Sequence, residues 1–207
     1  MDWSGFEVLG DYVKERITEF DQIHVERKEA LKQVAIEVRA HTASHHHAEI
    51  VFICTHNSRR SHMGHLWAQL AAGYYGIGYI SCYSGGTEAT AIYPRAVKAL
   101  EEAGMTIERM DHSHNPFYRV TFPGLKNEIT VFSKKYTDPP NPTDGFIAVM
   151  TCSEADEACP IVSGATSRYA IRYEDPKAYD GTHEESVRYK ERLQQISREM
   201  LFLFSNV

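Results

Sequence analysis

Cys54 and Arg60 are separated by five residues in "VFICTHNSRRS", where an apolar run stops at the cysteine and a polar loop follows. A cysteine is a nucleophile as its thiolate. A guanidinium can clamp two oxygens of a tetrahedral oxyanion side by side. If the apolar run is a strand and a helix begins near Ser61, one short loop serves both groups. The backbone N–H groups of Thr55, His56, Asn57, Ser58 and Arg59 can then turn inward as a nest, and the helix adds its positive N-terminal end. The same field favours the Cys54 thiolate, to which Ser61 can donate. An activated nucleophile beneath a bound oxyanion is the chemistry this spacing allows. A buried structural cysteine is the competing reading, since strands hold many. The strand before the motif, Asn-Ser within it, Arg-Ser at its end and the helix after it favour chemistry.

Those elements are legible in the pattern. "EIVFIC", "YISCYS", "FIAVMTC" and "SRYAIRY" are short apolar strands, the first of the kind buried on both faces. Helices are expected over 61 to about 75, 94–103 and 184–204, the last with Tyr189, Leu193, Ile196, Met200 and Leu203 on one stripe. Alternating strands and helices imply an α/β fold with a parallel, helix-covered sheet. Cys54 then lies at the carboxyl end of a strand, where ligands bind in such sheets. "NPFYRVTFPGLKNEITVFSKKY" reads as a β-hairpin turning at Pro123-Gly124.

Residues 1 to about 44 are expected to be helical with a break near Asp21, because Phe6, Leu9, Val13, Ile17 and Phe20, then Leu31, Val34, Ala35 and Val38, recur at helical spacing. "HTASHHHAE" follows as a linker whose consecutive histidines seldom converge on one metal. The expected organisation is a helical extension over 1–46 and an α/β domain over 47–207, interrupted by an insertion at about 111–144. The extension covers the substrate mouth, forms a dimer or packs on the sheet; its Leu31/Val34/Val38 stripe favours packing.

No apolar run approaches the roughly 18 residues that a membrane span needs. The acidic, amphipathic start lacks the features of a signal peptide, so the chain is expected in the cytoplasm. Cys54, Cys82, Cys152 and Cys159 are too few for a disulfide scaffold at this length, so each is core filler, metal ligand or chemistry. A net charge of −6 argues against a nucleic-acid partner but does not exclude a small anion held locally. No resident cofactor or metal is expected.

"VFICTHNSRRS" resembles the phosphate loop of the low-molecular-weight protein tyrosine phosphatases and of the thioredoxin-coupled arsenate reductases that share their fold. The resemblance continues through "SGGTEATAIYPRAVKALEEAGMTI", "FIAVMTCSEADEACP" and "RYEDPKAYDGT" and covers roughly residues 49–204. It leaves out the N-terminal helices, and the hairpin looks inserted. It implies a four-stranded parallel sheet with helices on both faces, Cys54 as nucleophile and Arg60 as anion clamp. Asp175 is implied to be the general acid. Its position before Pro176, just after the fourth strand, suits an acid that protonates a leaving oxygen. Asp138-Pro139 is a rival pair inside the insertion.

The other cysteines separate the activities. A phosphatase needs one cysteine, because water resolves the cysteinyl-phosphate. A reductase needs a second to attack the Cys54–arsenic adduct and expel arsenite. "TCSEADEACP" resembles the reductase arrangement, which implies Cys152 as resolving cysteine and Cys159 as the relay to thioredoxin. If the segment between them is helical they lie about 10 Å apart along the axis, so bonding requires it to unwind. Cys82, in mid-strand, reads as core.

Some positions depart from the resemblance. His56 stands where glycine is usual and is strained if its φ is positive. Arg59 adds a charge near the anion. His65 stands where the reductases often carry a glutamate for potassium, and His56, His62 and His65 cluster around the loop in sequence. The first expectation is arsenate reduction with thioredoxin as partner. The alternative is hydrolysis of phosphotyrosine or small phosphomonoesters by Cys54, Arg60 and Asp175. The third is a non-catalytic oxyanion-binding or redox-sensing protein with its loop blocked by His56.

Overall fold

A computed structural model describes residues 2–125, 128–158 and 160–207. β1 (Ala48–Cys54) lies inside a parallel sheet of order β2-β1-β6-β7, with β2 (Ile80–Gly86), β6 (Phe146–Met150) and β7 (Ala165–Ala170). Its unbroken apolar sequence fits a strand covered on both faces. Ile50 and Phe52 join one large core, while Val51 and Ile53 join a smaller one with Ala155 and Val162. The register pairs Cys54 with Gly86 and Ile53 with Met150, so the carboxyl ends of three strands meet at one edge.

α3 (Arg60–Tyr74) leaves that edge and buries Met63, Leu66, Trp67 and Leu70. It packs against β1, β2 and α6 (Glu185–Phe204). α6 buries the stripe of Tyr189, Leu193, Ile196, Met200 and Leu203 that its spacing predicts. α4 (Pro94–Glu102) begins with proline at its first turn, where a missing N–H costs nothing. α5 (Ser153–Ala158) and the segment around Tyr136 cover the second face.

The N-terminal pair is α1 (Glu7–Thr18) and α2 (Val25–His45), joined by a short 3-10 turn at Phe20–Gln22. Leu9, Val13, Leu31, Val34, Ala35 and Val38 are buried in the same core as α3 and α6. Both helices rest on α6, and α2 also reaches β1 and β7. Of the segment expected as a linker, residues 41–45 are instead the last turn of α2 and residues 48–49 begin β1. Nothing before His46 breaks the helix, and His41 is buried with Nε2 2.8 Å from Thr166 Oγ1. The helix stops where His46 takes a φ of 59°.

The expected hairpin is present as β4 (Tyr118–Thr121) and β5 (Ile129–Val131). A strand that sequence reasoning did not anticipate, β3 (Thr106–Arg109), completes a three-stranded antiparallel sheet. Among the described residues no helix is long and apolar enough to cross a membrane.

Candidate active site

The loop between β1 and α3 wraps around a small cup lined by Cys54, His56, Ser58, Arg59, Arg60 and Asp175. Its carbonyls point away from that cup. Cys54 O accepts from Thr87 N at 3.1 Å, and Thr55 O from Glu88 N at 2.8 Å. His56 O accepts from Thr90 Oγ1 at 3.1 Å and Ser133 Oγ at 3.0 Å. Asn57 O receives His62 Nε2 at 3.0 Å, and Ser58 O receives Tyr93 N at 3.0 Å. Five consecutive carbonyls bonded outward leave the amides between them to face inward. Inward-facing amides are the arrangement that an anion nest requires.

The backbone strain falls on Asn57 rather than on His56. Asn57 has a φ of 45°, and His56 is not in the left-handed region. Asparagine tolerates that region because its side chain bonds locally. Asn57 is sealed from solvent and fully employed. Its N–H donates to Cys54 Sγ at 3.2 Å, its Nδ2 to Ser61 Oγ at 2.9 Å, and its Oδ1 accepts from Lys134 N at 2.9 Å. Ser61 Oγ, already accepting from Asn57, is left its own hydrogen to donate to Cys54 Sγ, 3.1 Å away. The sulfur at the end of β1 therefore receives two hydrogen bonds, one from the Asn57 N–H and one from the Ser61 hydroxyl.

His62 completes the frame. Its Nε2 can only donate to the Asn57 carbonyl, so Nδ1 accepts from Ser84 Oγ at 3.2 Å. That fixes the neutral tautomer. Burial, with the Lys134 charge nearby, pushes the His62 pKa down to about 3.

The two arginines have different surroundings. Arg60 Nη1 donates to Tyr173 O at 2.8 Å, and Nη2 lies 2.5 Å from Asp175 Oδ2. Asp175 Oδ1 caps the following turn by accepting from Lys177 N at 3.0 Å. Arg59 is taken up by Asp180 and by Tyr189, whose hydroxyl donates to Asp180 at 2.6 Å. Its guanidinium stacks over the Tyr93 ring at 4.2 Å. Arg59 thus carries less free charge toward the cup than the sequence implied. Asp138 belongs to a turn of its own, accepting from Lys135 N at 3.0 Å.

Cys152 lies beneath the same edge, fully buried, with Sγ 3.5 Å from Thr55 Oγ1 and 3.4 Å from the Ala155 N–H. Burial pushes its thiol pKa up, against smaller opposing pulls from those two hydrogen bonds. Cys159 lies outside the described residues. The segment before it is helical, as α5. Cys82 is buried in mid-strand and burial raises its thiol pKa too, which fits a core residue.

His56, His62 and His65 do not converge. His62 and His65 are buried in α3, while His56 is half-exposed with Nε2 3.8 Å from Glu88. Among the described residues no group of three metal-ligating side chains occurs. Sequence reasoning missed the bracing from Ser133, Lys134 and Thr90. These positions lie up to 80 residues from Cys54, and no local pattern announces them.

Comparisons with known proteins agree with this geometry. A family model described as low molecular weight phosphotyrosine protein phosphatase matches residues 49–117. An arsenate reductase of Staphylococcus epidermidis is 30% identical over 139 residues, spanning 67% of this chain and 86% of that protein. One from Bacillus licheniformis is 28% identical over 144 residues, spanning 70% and 85%. Among solved structures, a mutant of YwlE from Bacillus subtilis superimposes with a TM-score of 0.52 at 16% identity, covering 76% of this chain and 97% of that one. A low molecular weight phosphotyrosine phosphatase from Vibrio cholerae O395 gives 0.51 at 14% identity, covering 76% and 95%. The chain belongs to the low-molecular-weight phosphotyrosine phosphatase and arsenate reductase superfamily. It is an enzyme of that superfamily.

Proposed function

We propose that the chain is a thioredoxin-coupled arsenate reductase of the cytoplasm, with Cys54, Cys152 and Cys159 as its three redox sulfurs. The observation that carries this reading is the place of Cys152, whose Sγ sits 3.5 Å from the hydroxyl of Thr55, the residue after Cys54. A phosphatase has no use for a second thiol there. The curated relatives named arsenate reductase support the same reading.

Arsenate enters the cup on the amides of Thr55–Arg59 and on Arg60. The Cys54 thiolate attacks arsenic, an oxygen leaves, and Asp175 gives that oxygen its proton. Cys152 then attacks Cys54 Sγ. The sulfur–arsenic bond breaks with its electron pair passing to arsenic, so As(V) becomes As(III) while two thiols become a disulfide. Cys159 attacks Cys152, frees Cys54, and carries the disulfide to thioredoxin. Burial keeps Cys152 a thiol at rest, which limits its reaction to the time when the adduct has formed and α5 loosens.

A second reading, a phosphomonoester or phosphotyrosine phosphatase, is favoured by one feature. Cys54, Arg60 and Asp175 already close on one cup and need no further sulfur for hydrolysis. A paired assay separates the two. Arsenate-dependent NADPH oxidation with thioredoxin and its reductase is measured beside hydrolysis of p-nitrophenyl phosphate, in wild type, Cys54→Ser and Cys152→Ser. The reductase reading expects arsenate turnover that both variants abolish, with any hydrolysis surviving Cys152→Ser. Fast hydrolysis without arsenate turnover establishes the phosphatase instead.

A further inference from the structure

A cavity of about 640 Å³ opens between α3, β2 and the second sheet. Two polar side chains that the site chemistry does not use border it. Lys134 is only 4% exposed, and its ammonium makes no hydrogen bond or ion pair with any described residue; it faces the ring of Phe132 at 5.0 Å. His65 is also 4% exposed and makes no hydrogen bond with either ring nitrogen among the described residues, with Nδ1 shut off from solvent. An ammonium with only an aromatic ring for company and an imidazole Nε2 without a hydrogen bond among the described residues, both at one wall, carry a desolvation cost that a ligand can relieve. Gln69 is fixed beside them by bonds to Ile80 O and Cys82 N, and Ile77, Leu125 and Ile129 supply an apolar side.

We propose that this cavity binds a small carboxylate with an apolar body, its head on the Lys134 ammonium and the His65 ring. The Lys134 ammonium at the wall favours an anion, and the lining carboxylate of Glu128 is taken up by Arg119 at 3.0 Å. The volume exceeds what an inorganic ion needs, and the apolar side suits a short hydrocarbon or aromatic body. The site differs from the cup, since none of the residues lining the cup lines this cavity. It touches the catalytic loop through one bond, because Lys134 gives its backbone N–H to Asn57 Oδ1. Occupancy therefore acts on the residue that holds the loop in its left-handed turn.

The state of the ammonium has a sign that can be tested. Burial brings the Lys134 pKa down to about 8, partly offset by Asp138. His62 and His65 stand neutral on α3, and His47, Cys82, Tyr83 and Glu128 are the other titratable groups that line the cavity, with burial pushing the Cys82 thiol and the Tyr83 hydroxyl up. A bound carboxylate holds the proton on Lys134 more tightly, so binding weakens as pH rises past that titration.

The experiment uses the full chain and benzoate as probe, with calorimetry and amide NMR as readouts. Saturable binding with a dissociation constant of about a millimolar is expected for so small a ligand. It stays within about twofold in Arg60→Gln, falls about tenfold or more in Lys134→Met and survives in Lys134→Arg. Binding that is lost in Arg60→Gln assigns benzoate to the cup and overturns the proposal. So does equal binding in Lys134→Met, or none in the wild type. If Lys134→Met does not fold, the wild-type pH series decides: affinity falling through the alkaline range supports the site, and a flat profile removes it. These outcomes stand whether the cup reduces arsenate or hydrolyses phosphate.

Discussion

Arg60 and Asp175 are locked to each other across the mouth of the cup, Nη2 to Oδ2 at 2.5 Å. The proposed anion clamp and the proposed proton donor thus hold one another. A substrate oxyanion competes with the carboxylate for the same guanidinium face. On the proposed mechanism its arrival would free Asp175 Oδ2 to give its proton, while Oδ1 keeps the bond it accepts from the Lys177 amide.

Asp175→Asn is therefore expected to move two quantities in opposite directions. The amide cannot give up a proton, so turnover falls by about 10²–10⁴. It is also a weaker competitor for Arg60, so inhibition by inorganic phosphate becomes several-fold tighter. Loss of turnover with weaker phosphate binding instead places Asp175 among the binding groups.

Gly86 tests the frame rather than the chemistry. A Cβ there lies 2.2 Å from Glu88 O, 2.6 Å from Thr55 O and 2.8 Å from Asn57 N. All three are backbone atoms that cannot turn aside. Gly86→Ala is expected to cost about 1–3 kcal/mol and to cut kcat/KM more than that loss accounts for, because the loop amides shift. Gly78→Ala, whose Cβ meets nothing within 4 Å, is the control. Equal activity in both variants defeats the argument.

The parts of this site that the sequence discloses are those whose signal is local. Cys54, Arg60 and Ser61 lie within one strand-loop-helix unit, and an apolar run ending at a cysteine is enough to place them. The stripe on α6 and the pairing of β4 with β5 are legible for the same reason: each repeats at the period of its element. Asn57 was visible as a loop residue but its positive φ was not, because that follows from four bonds, one of which comes from Lys134. Ser133, beyond β5, and Thr90, between β2 and α4, reach the loop at His56 O through tertiary contacts that no spacing encodes. The last turn of α2 was misread because three histidines look like a polar linker, whereas His41 packs against β7. Arg59 was read by its charge alone; Asp180, Tyr189 and Tyr93 decide where that charge goes.

His62 gives a stability prediction with a definite sign. Its folded pKa of about 3 lies below the ordinary value of 6.5. Between those two values the unfolded chain binds a proton that the folded chain does not. Its contribution to stability is thus lost as pH falls from 6.5 toward 3, by up to about 1.4 kcal/mol per pH unit. Urea melts of wild type and His62→Gln at pH 7.5 and pH 5 isolate the effect from the carboxylates common to both. The variant is expected to be the less stable at pH 7.5, with the gap narrowing at pH 5. A gap of constant size excludes His62 as its source.

Arg27 carries the last prediction, because it joins the N-terminal helices to the site. From α2 it donates to Arg172 O, lies 3.4 Å from Glu199 Oε2, and stacks over the Tyr173 ring at 5.2 Å. Tyr173 O is the acceptor that orients Arg60. The first helical pair thus fixes the strand end on which the anion clamp rests. Arg27→Ala is expected to raise KM for the oxyanion and lower kcat/KM by about tenfold, with kcat changing less, since the loss is one of positioning. Arg27→Lys keeps the charge but loses the planar stack, so it recovers only part of the activity. If the helices serve only to fill the core, the alanine variant lowers Tm and leaves KM where it was. Steady-state kinetics beside a thermal melt distinguish these results in one preparation.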